Sequence, residues 1–390
     1  MKICALIAEY NPFHLGHLKH IEYIKNTLGA EKVIVIMSGN FTQRGEIAVL
    51  DKFTRARHAI LAGANAVIEL PTVFATANAE IFALGAVKIL NSLNVVDGIC
   101  FGVESGDKDA YVSLAKAMND ESKEFRHALK ERLEQGVSLA KAKFEAVKAL
   151  NGEVFDQSLI NSPNNILGLE YTKALLKLNS DILIYPMLRS GDHNDKTLKK
   201  GETSATSIRE VLKTGKIKRL KKNVPPFVFK DLKEYPFIFE TLSLAKVITS
   251  TAEEIAEITD CTEGLENRIK AFVKDNRTLE ELVNKVSTKR YTKTRVQRIL
   301  TANLLGIKSN LVKDCLSEKL YAKILAVNSE SKDIIPLLCD NSSIPVLTRK
   351  SDATTLKKTA LKCFEKDVLA NDLYNLITNQ KTNENQMLII

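Results

Sequence analysis

Short apolar runs recur at helix-length intervals through the first half of the chain. Ile3-Cys4-Ala5-Leu6-Ile7-Ala8, the run KVIVIM at 32–37, Ala66-Val67-Ile68-Glu69-Leu70, Gly98-Ile99-Cys100-Phe101-Gly102 and Asp181-Ile182-Leu183-Ile184-Tyr185-Pro186 contain few polar residues. Strands of this composition are buried on both faces. The intervening segments carry helical spacing: 17–28, ended by Gly29, then about 50–62, about 77–92 and 163 to about 178. Strand and helix alternate, so the pattern predicts right-handed βαβ crossovers and a parallel sheet covered by helices. Such a sheet takes its ligand outside the carboxyl ends of its strands. Three segments fall there: the stretch after Ala8, Ser38-Gly39-Asn40, and Phe101-Gly102.

Residues 107–150, rich in Ala, Lys, Glu and Leu, read as a helical insertion or covering layer. Ser162 then offers an N-cap, and Pro163 a first helical position where a missing N–H costs nothing. A further helix begins around Ser204-Ala205-Thr206-Ser207-Ile208-Arg209-Glu210, in which Ser207 and Glu210 have capping-box spacing. Beyond Pro225-Pro226, residues 237–390 read as mostly helical, with few strand signals before Ser343-Ile344-Pro345-Val346-Leu347. The expected fold is α/β: a parallel-sheet domain over 1–222 that holds the insertion, followed by a mainly α-helical domain over 223–390. Proline and charge interrupt the pattern between about 215 and 235.

At 390 residues, 45% hydrophobic and 26% charged, the composition is that of a globular protein with a substantial core. No apolar run approaches the ~18 residues of a membrane span, so a soluble protein with no membrane partner is expected. Glu9, Asn11 and Pro12 follow the first apolar run at once and no small-residue cleavage pattern appears. That run reads as a buried strand of a cytoplasmic protein, not a signal peptide. The six cysteines are scattered, with no C-x-x-C pair and no Cys/His cluster, which argues against a zinc site or disulfide framework. Cys4 and Cys100, inside strands, read as reduced packing residues. The net charge of +9 is segregated: residues 196–222 carry +8 and residues 285–308 carry +7, leaving the remainder at −6. Segregated positive charge favours a polyanionic partner, with a pair of solvated basic loops as the bland alternative.

The stretch Ile7-Ala8-Glu9-Tyr10-Asn11-Pro12-Phe13-His14-Leu15-Gly16-His17-Leu18-Lys19-His20 places three of the six histidines where the first strand turns into a helix. Gly16 between His14 and His17 lets another group approach the backbone closely. A helix start already offers unpaired N–H groups and a field that favours anions. Imidazoles added there can donate to phosphate oxygens and stabilise charge growing on a departing pyrophosphate. A metal site is the runner-up, although the i,i+3 spacing lacks the carboxylate of H-E-x-x-H and no cysteine is near. Arg189, beyond the fifth strand, and Arg209 are fixed cations suited to phosphate, and Ser204 and Thr206 mark a second helix start. Neither a G-x-x-x-x-G-K-[ST] loop nor a G-x-G-x-x-G run follows the first strand.

His14-Leu15-Gly16-His17 together with Ser204-Ala205-Thr206-Ser207-Ile208-Arg209 resembles the paired signatures of the H-x-G-H nucleotidyltransferase superfamily. More narrowly, AEYNPFHLGHLKH, MSGNFTQRGEIAVLDKFTRARHAILAGANAVIELP, SPNNILGLEY and TKRYTKTRVQRIL resemble the tRNA(Met) cytidine acetate ligase family over nearly the whole chain. The resemblance implies a Rossmann-like nucleotidyltransferase domain and an ATP-dependent ligase forming N4-acetylcytidine. Acetate would attack the α-phosphate of ATP, releasing pyrophosphate. The N4 amine of the wobble cytidine of elongator tRNA(Met) would then take the acetyl group and release AMP. Mg²⁺ is expected as the counterion of ATP, with no protein ligand to name. Carried over residue by residue, Ile7 through His20 line the ATP site with His14 and His17 as its catalytic groups, and Gly102, Asn164 and Arg189 complete it. Ser204, Thr206 and Arg209 are further phosphate contacts. Two positions depart from the family pattern: Leu15, where many relatives carry Asn, and Arg189-Ser190-Gly191-Asp192-His193, where a more glycine-rich and aromatic run is expected.

The acid-free second basic window supplies a tRNA-binding surface of Lys289, Arg290, Tyr291, Lys293, Arg295 and Arg298, mixing cations with one aromatic able to stack on a base. If the chain is helical from about 292, Arg295 and Arg298 share a face. The run 216–222 extends the same track. Two other functions stay open: a nucleotidyltransferase adenylylating a small phosphorylated metabolite, which leaves the basic windows unexplained, and a noncatalytic RNA-binding protein, which leaves His14, His17, Arg189 and Arg209 unexplained.

Overall fold

The computed structural model describes residues 1–119, 122–135, 139–151, 155–189, 204–382, 384, 385 and 387–390. Five parallel strands form its centre: β1 (Ile3–Ala8), β2 (Lys32–Ser38), β3 (Ala66–Leu70), β4 (Gly98–Val103) and β5 (Leu183–Leu188), in the spatial order β5-β4-β1-β2-β3. All five are runs that the apolar pattern marks, with β5 set slightly further along the chain.

Alternate residues of each strand enter opposite cores, which is why the runs lack polar positions. Ile3, Ala5, Ile34 and Ile36 join one core, where the helices Ala79–Ser92 and Pro163–Lys177 cover them. Cys4, Leu6, Val33, Val35 and Met37 join the other, under the helices Leu15–Asn26 and Lys52–Leu61. The 107–150 segment is a covering layer of three helices, Lys108–Met118, Lys123–Glu134 and Leu139–Asn151, and Tyr111 and Leu114 pack into the first core. Pro186 is accommodated because β5 is the edge strand. No described helix is long and apolar enough to cross a membrane.

The second half departs from the helical expectation. A strand β6 (Ala322–Val327) runs antiparallel to β3, and β7 (Val346–Leu347) and β8 (Leu388–Ile389) pair with β6. A break at 222/223 therefore separates most of the helices but cuts through the sheet. The core is shared as well, with Val296 and Ile299 in the same cluster as Ile3. Lys323 disguises β6 by placing a charge inside a wholly buried strand. That charge is answered locally: Lys323 Nζ lies 3.0 Å from Glu69 and 2.5 Å from Glu384, and Lys52 Nζ lies 2.8 Å from Glu69 and also pairs with Glu384. All four side chains are buried, tying β3, β6, the helix after β2 and the C-terminal segment into one ionic cluster.

The chain winds from β1 to β2 and β3 on one side, then crosses to β4 and β5 on the other. The winding reverses between β1 and β4, and this opens a crevice at their carboxyl ends.

Candidate active site

The turn after β1 is fastened from several directions. Tyr10 leaves the strand with φ of 50°. Asn11 Oδ1 accepts the Val49 N–H at 2.9 Å, and the Asn11 carbonyl accepts from Arg209 Nη1 at 2.9 Å. Arg55, fully buried, donates to the carbonyls of Glu9, Ser38, Gly39 and Leu50, so the ends of β1 and β2 share one guanidinium.

His14 is the N-cap of the helix Leu15–Asn26, and its Nδ1 accepts the Gly16 N–H at 3.1 Å. In return, the His14 N–H donates to Nδ1 of His17 at 3.2 Å, giving a reciprocal capping box built from two imidazoles. The rings stack with centroids 3.7 Å apart and planes inclined by 24°. Because both Nδ1 atoms accept backbone protons, each neutral ring carries its proton on Nε2 and acts there as a donor. A Cβ on residue 16 would stand 2.9 Å from His14 Cε1, so glycine is what allows this ring position.

The crevice is a cleft of about 230 Å³, and three helix starts converge on it: Gly16 and His17, Pro163 and Asn164, and Ala205 and Thr206. Their aligned N–H groups make the site favourable to anions. Ile7, Ala8, Glu9, Tyr10, Asn11, His14, Lys19, His20, Gly102, Arg189 and Arg209 also line it. Gly102 makes room for Arg189, whose Cδ and Cγ would lie 3.0 and 3.2 Å from a Cβ there. Burial pulls the Arg189 guanidinium down from its ordinary value, with Glu104 opposing. Asn164 is oriented by donating to Glu104 at 2.6 Å. His20 Nε2 lies 3.3 Å from Cys100 Sγ, and burial, reinforced by Arg189, lowers its pKa to about 4. Arg209 ion-pairs with Glu46 at 3.0 Å. Burial raises the Glu9 carboxyl above its usual range, against the Gln43 N–H that it accepts at 2.6 Å and the nearby Arg44 and Arg209.

Several expected site residues are elsewhere. Pro12, Phe13, Leu15 and Leu18 do not line the cleft; Phe13 is buried against Tyr10 and Phe227, and Leu18 packs on the second core. The Leu15 departure therefore lies off the cleft wall, and the departing residues 190–193 lie outside the described residues. Ser204 is itself the N-cap of the helix Ala205–Lys213, accepting the Ser207 N–H at 3.1 Å, so the cap is one turn earlier than Ser207. Ser38-Gly39-Asn40 does not reach the cleft: Asn40 bonds Asn371 and the Lys52 N–H. Three and four residues beyond Asn40, Gln43 and Arg44 do reach it. Phe82, Phe101, Leu167, Tyr171 and Met187 form an apolar wall; Phe101 falls at a marked strand end and Leu167 and Tyr171 inside SPNNILGLEY, but the sequence pattern marks none of the five as a wall residue.

The basic window divides. Lys289, Arg290 and Lys293 are exposed, with Arg290 paired to Glu263. The face shared by Arg295 and Arg298 is turned inward. Arg295 donates to the Asp260 carbonyl and to Thr262, both at 2.9 Å, and lies over the Tyr291 ring, while Arg298 is 13% exposed and 3.8 Å from Asp260. Arg298 is thus a poor candidate for an RNA contact. In the first basic window, Lys216, Lys218, Arg219, Lys221 and Lys222 are exposed around buried Leu220, and residues 196–203 lie outside the described residues. Among the described residues, no group of three or more His, Cys, Asp or Glu side chains is arranged to hold a metal ion.

The HIGH Nucleotidyl Transferase family model matches residues 1–387. A tRNA(Met) cytidine acetate ligase of Acetivibrio thermocellus is 40% identical over 96% of this chain and 94% of its own length. The enzyme of that name from Clostridium perfringens is 38% identical over 97% and 96%. Among solved structures, Thermotoga maritima TmcAL in its apo form superposes with a TM-score of 0.94 at 27% identity, covering all of both chains. The same protein bound with alpha-thio ATP gives 0.90 at 26% identity, again over all of both chains. With matches of this extent on a cleft built around His14 and His17, the chain belongs to the HIGH nucleotidyl transferase family and, within it, to the tRNA(Met) cytidine acetate ligases.

Proposed function

We propose that the protein is an ATP-dependent ligase that converts acetate to acetyl-adenylate and acetylates N4 of the wobble cytidine of elongator tRNA(Met). The observation that carries this reading is the imidazole capping box: two Nε2–H donors fixed beside a helix start, in a cleft that also holds Arg189 and Arg209. The names of the relatives and the alpha-thio ATP bound by Thermotoga maritima TmcAL support it.

Acetate is a poor acyl donor until its oxygen becomes a good leaving group. Attack of its oxygen on the α-phosphate makes that group and expels pyrophosphate, whose growing charge falls to the Nε2–H donors of His14 and His17, the helix N-termini and Arg209. Gly102, Asn164 and Arg189 face the nucleoside side, and Mg²⁺ enters with the triphosphate as its counterion. In this reading the five parallel strands and their helices within 1–222 carry activation and residues 223–390 carry much of the tRNA contact, joined by the exposed cations of 216–222.

The test incubates the protein with ATP, radiolabelled acetate and bulk tRNA. ATP-dependent label in tRNA is expected, lost in His14→Ala with His17→Ala. Label that survives that pair of substitutions overturns the assignment of the site, and acetyl-adenylate formed without tRNA label overturns the RNA step.

A further inference from the structure

Glu9 is out of keeping with the cleft it lines. Among the described lining residues it is the one carboxylate, set among Lys19, Arg44, Arg189 and Arg209. Both substrates of the activation step are anions, a triphosphate and a carboxylate, and each is repelled by it. Its placement is nevertheless built: Glu9 follows β1 directly, Gln43 N–H holds Oε1 at 2.6 Å, and Arg55 holds its carbonyl at 2.6 Å. On the apolar wall of the same cleft the rings of Phe101 and Tyr171 lie with centroids 5.8 Å apart, beside Phe82 and Leu167. An apolar aromatic wall with an acceptor at its edge suits a flat heterocycle that carries an amino group, a description that cytosine and the adenine of ATP share; the KM for ATP tells the two apart.

We propose that Glu9 receives the acyl acceptor: its carboxylate accepts a hydrogen bond from the exocyclic amine of the cytosine and takes one proton as that amine attacks the acetyl carbonyl. The inference rests on the function proposed above and concerns its second step alone. The nitrogen lone pair forms the N–C bond, and the bond from the carbonyl carbon to the AMP phosphate oxygen breaks. The phosphate leaves with that electron pair, and one N–H proton passes to Glu9 and then to water. No atom changes oxidation state.

An amine conjugated with a pyrimidine ring is a weak nucleophile because its lone pair is delocalised. An acceptor drawing on its N–H restores electron density to the nitrogen as the bond forms. The imidazoles do not serve this purpose, since each Nδ1 lone pair accepts a backbone N–H and each Nε2 carries a proton. Glu104 is held by Ser162 and Asn164 and does not line the cleft. Glu9 is faced by Arg44, Arg209 and Arg55, by the like charge of Glu46, and by Tyr171. Burial raises its pKa, with Arg44 and Arg209 opposing, and a raised pKa makes its carboxylate the stronger proton acceptor.

The test is Glu9→Gln, which keeps the shape and can still accept the Gln43 N–H. Acetyl transfer to tRNA should fall by about a hundredfold or more, and by at least about tenfold more than acetate-dependent ATP–pyrophosphate exchange, which feels Glu9 only as one wall of the ATP cleft. Hydroxylamine, which needs no base, should accept the acetyl group at a near-normal rate. The single-turnover transfer rate of the unmodified protein should rise with pH on its acid limb, and the variant should lose that limb. Exchange that falls as far as transfer, or a tenfold rise in KM for ATP, overturns the inference and puts Glu9 on the nucleotide; unchanged transfer overturns it as well. An unmodified protein that labels no tRNA removes instead the reading beneath it.

Discussion

Replacing Gly16 with alanine should separate folding from chemistry. Position 16 lies in the first turn of the helix Leu15–Asn26, so the backbone accepts a Cβ, and helix propensity favours alanine by up to about 1 kcal/mol. Against this, the Cβ would sit 2.9 Å from Cε1 and 3.1 Å from Nδ1 of the His14 ring, so the ring must pivot away. Pivoting stretches the 3.1 Å cap bond to the Gly16 N–H, whose loss costs about 1 kcal/mol. The two terms nearly cancel, and stability should stay within about 1 kcal/mol of the original. Catalysis has no such compensation: displacement of the donor by about 1 Å costs on the order of a hundredfold in rate. Acetate-dependent ATP–pyrophosphate exchange measures the second term and urea unfolding the first. Exchange at the normal rate would refute the claim that glycine is there for the His14 ring, and so would a stability loss above about 3 kcal/mol.

Lys323→Met should destabilise the fold by about 3–5 kcal/mol, because it leaves Glu69 and Glu384 buried with Lys52 as their remaining ammonium partner; a change under about 1 kcal/mol in urea unfolding would sink that reading of the cluster. His20 should make stability pH-dependent: its folded pKa is lowered to about 4 from an ordinary 6.5, so its contribution is present above pH ~6.5 and is lost as pH falls toward 4. Water at the cleft wall limits the size to about 1–2 kcal/mol, and His20→Asn should flatten that part of the curve; an unaltered slope counts against it. Replacing Lys218, Arg219 and Lys221 together with alanine should lower the slope of log affinity for tRNA against log salt by about 2, as read by filter binding at several salt concentrations. Arg298→Ala should leave that slope alone and lower the unfolding midpoint, since Arg298 faces Asp260; the reverse pattern would restore it to the RNA surface.

The α/β half was legible because strands buried on both faces leave an unbroken apolar signature and helix starts leave caps. The H-x-G-H turn was legible for the same reason, lying where the first strand hands over to a helix. Lys323 hid β6 because a charge inside a strand reads as a break unless its partners are known, and those partners, Glu69 and Glu384, are far away in the chain. The apolar wall was harder to read: Phe82, Leu167 and Tyr171 follow the ordinary pattern of core residues, and Phe101 stood out only as part of a strand end. Arg298 shows the opposite failure. Its charge was visible and its position was not, since a helix of alternating cations and apolar residues has the same pattern whether the cations meet solvent or a half-buried aspartate.

The segment Gln43–Glu46 draws these parts together. Gln43 N–H holds the Glu9 carboxylate, Arg44 lines the cleft, and Glu46 pairs with Arg209. Between them Gly45, at φ of 72°, lies so close to the helix Lys293–Leu305 that a Cβ would come within 2.5 Å of the Gln297 and Arg298 backbone, and Thr301 donates to its carbonyl at 2.8 Å. Four consecutive residues therefore touch the acceptor side of the cleft, a phosphate-side arginine and the helix that carries the second basic window. The break expected at 222/223 could not be a hinge between independent units, because this contact, like β6 in the sheet, joins the two halves at the site itself. In the reading proposed above, rigidity there has a chemical use: an acyl-adenylate is spent on water unless its acceptor is already placed, and a cleft in which the Glu9 contact and the helix Lys293–Leu305 are fixed by one glycine turn keeps its shape from the first step to the second.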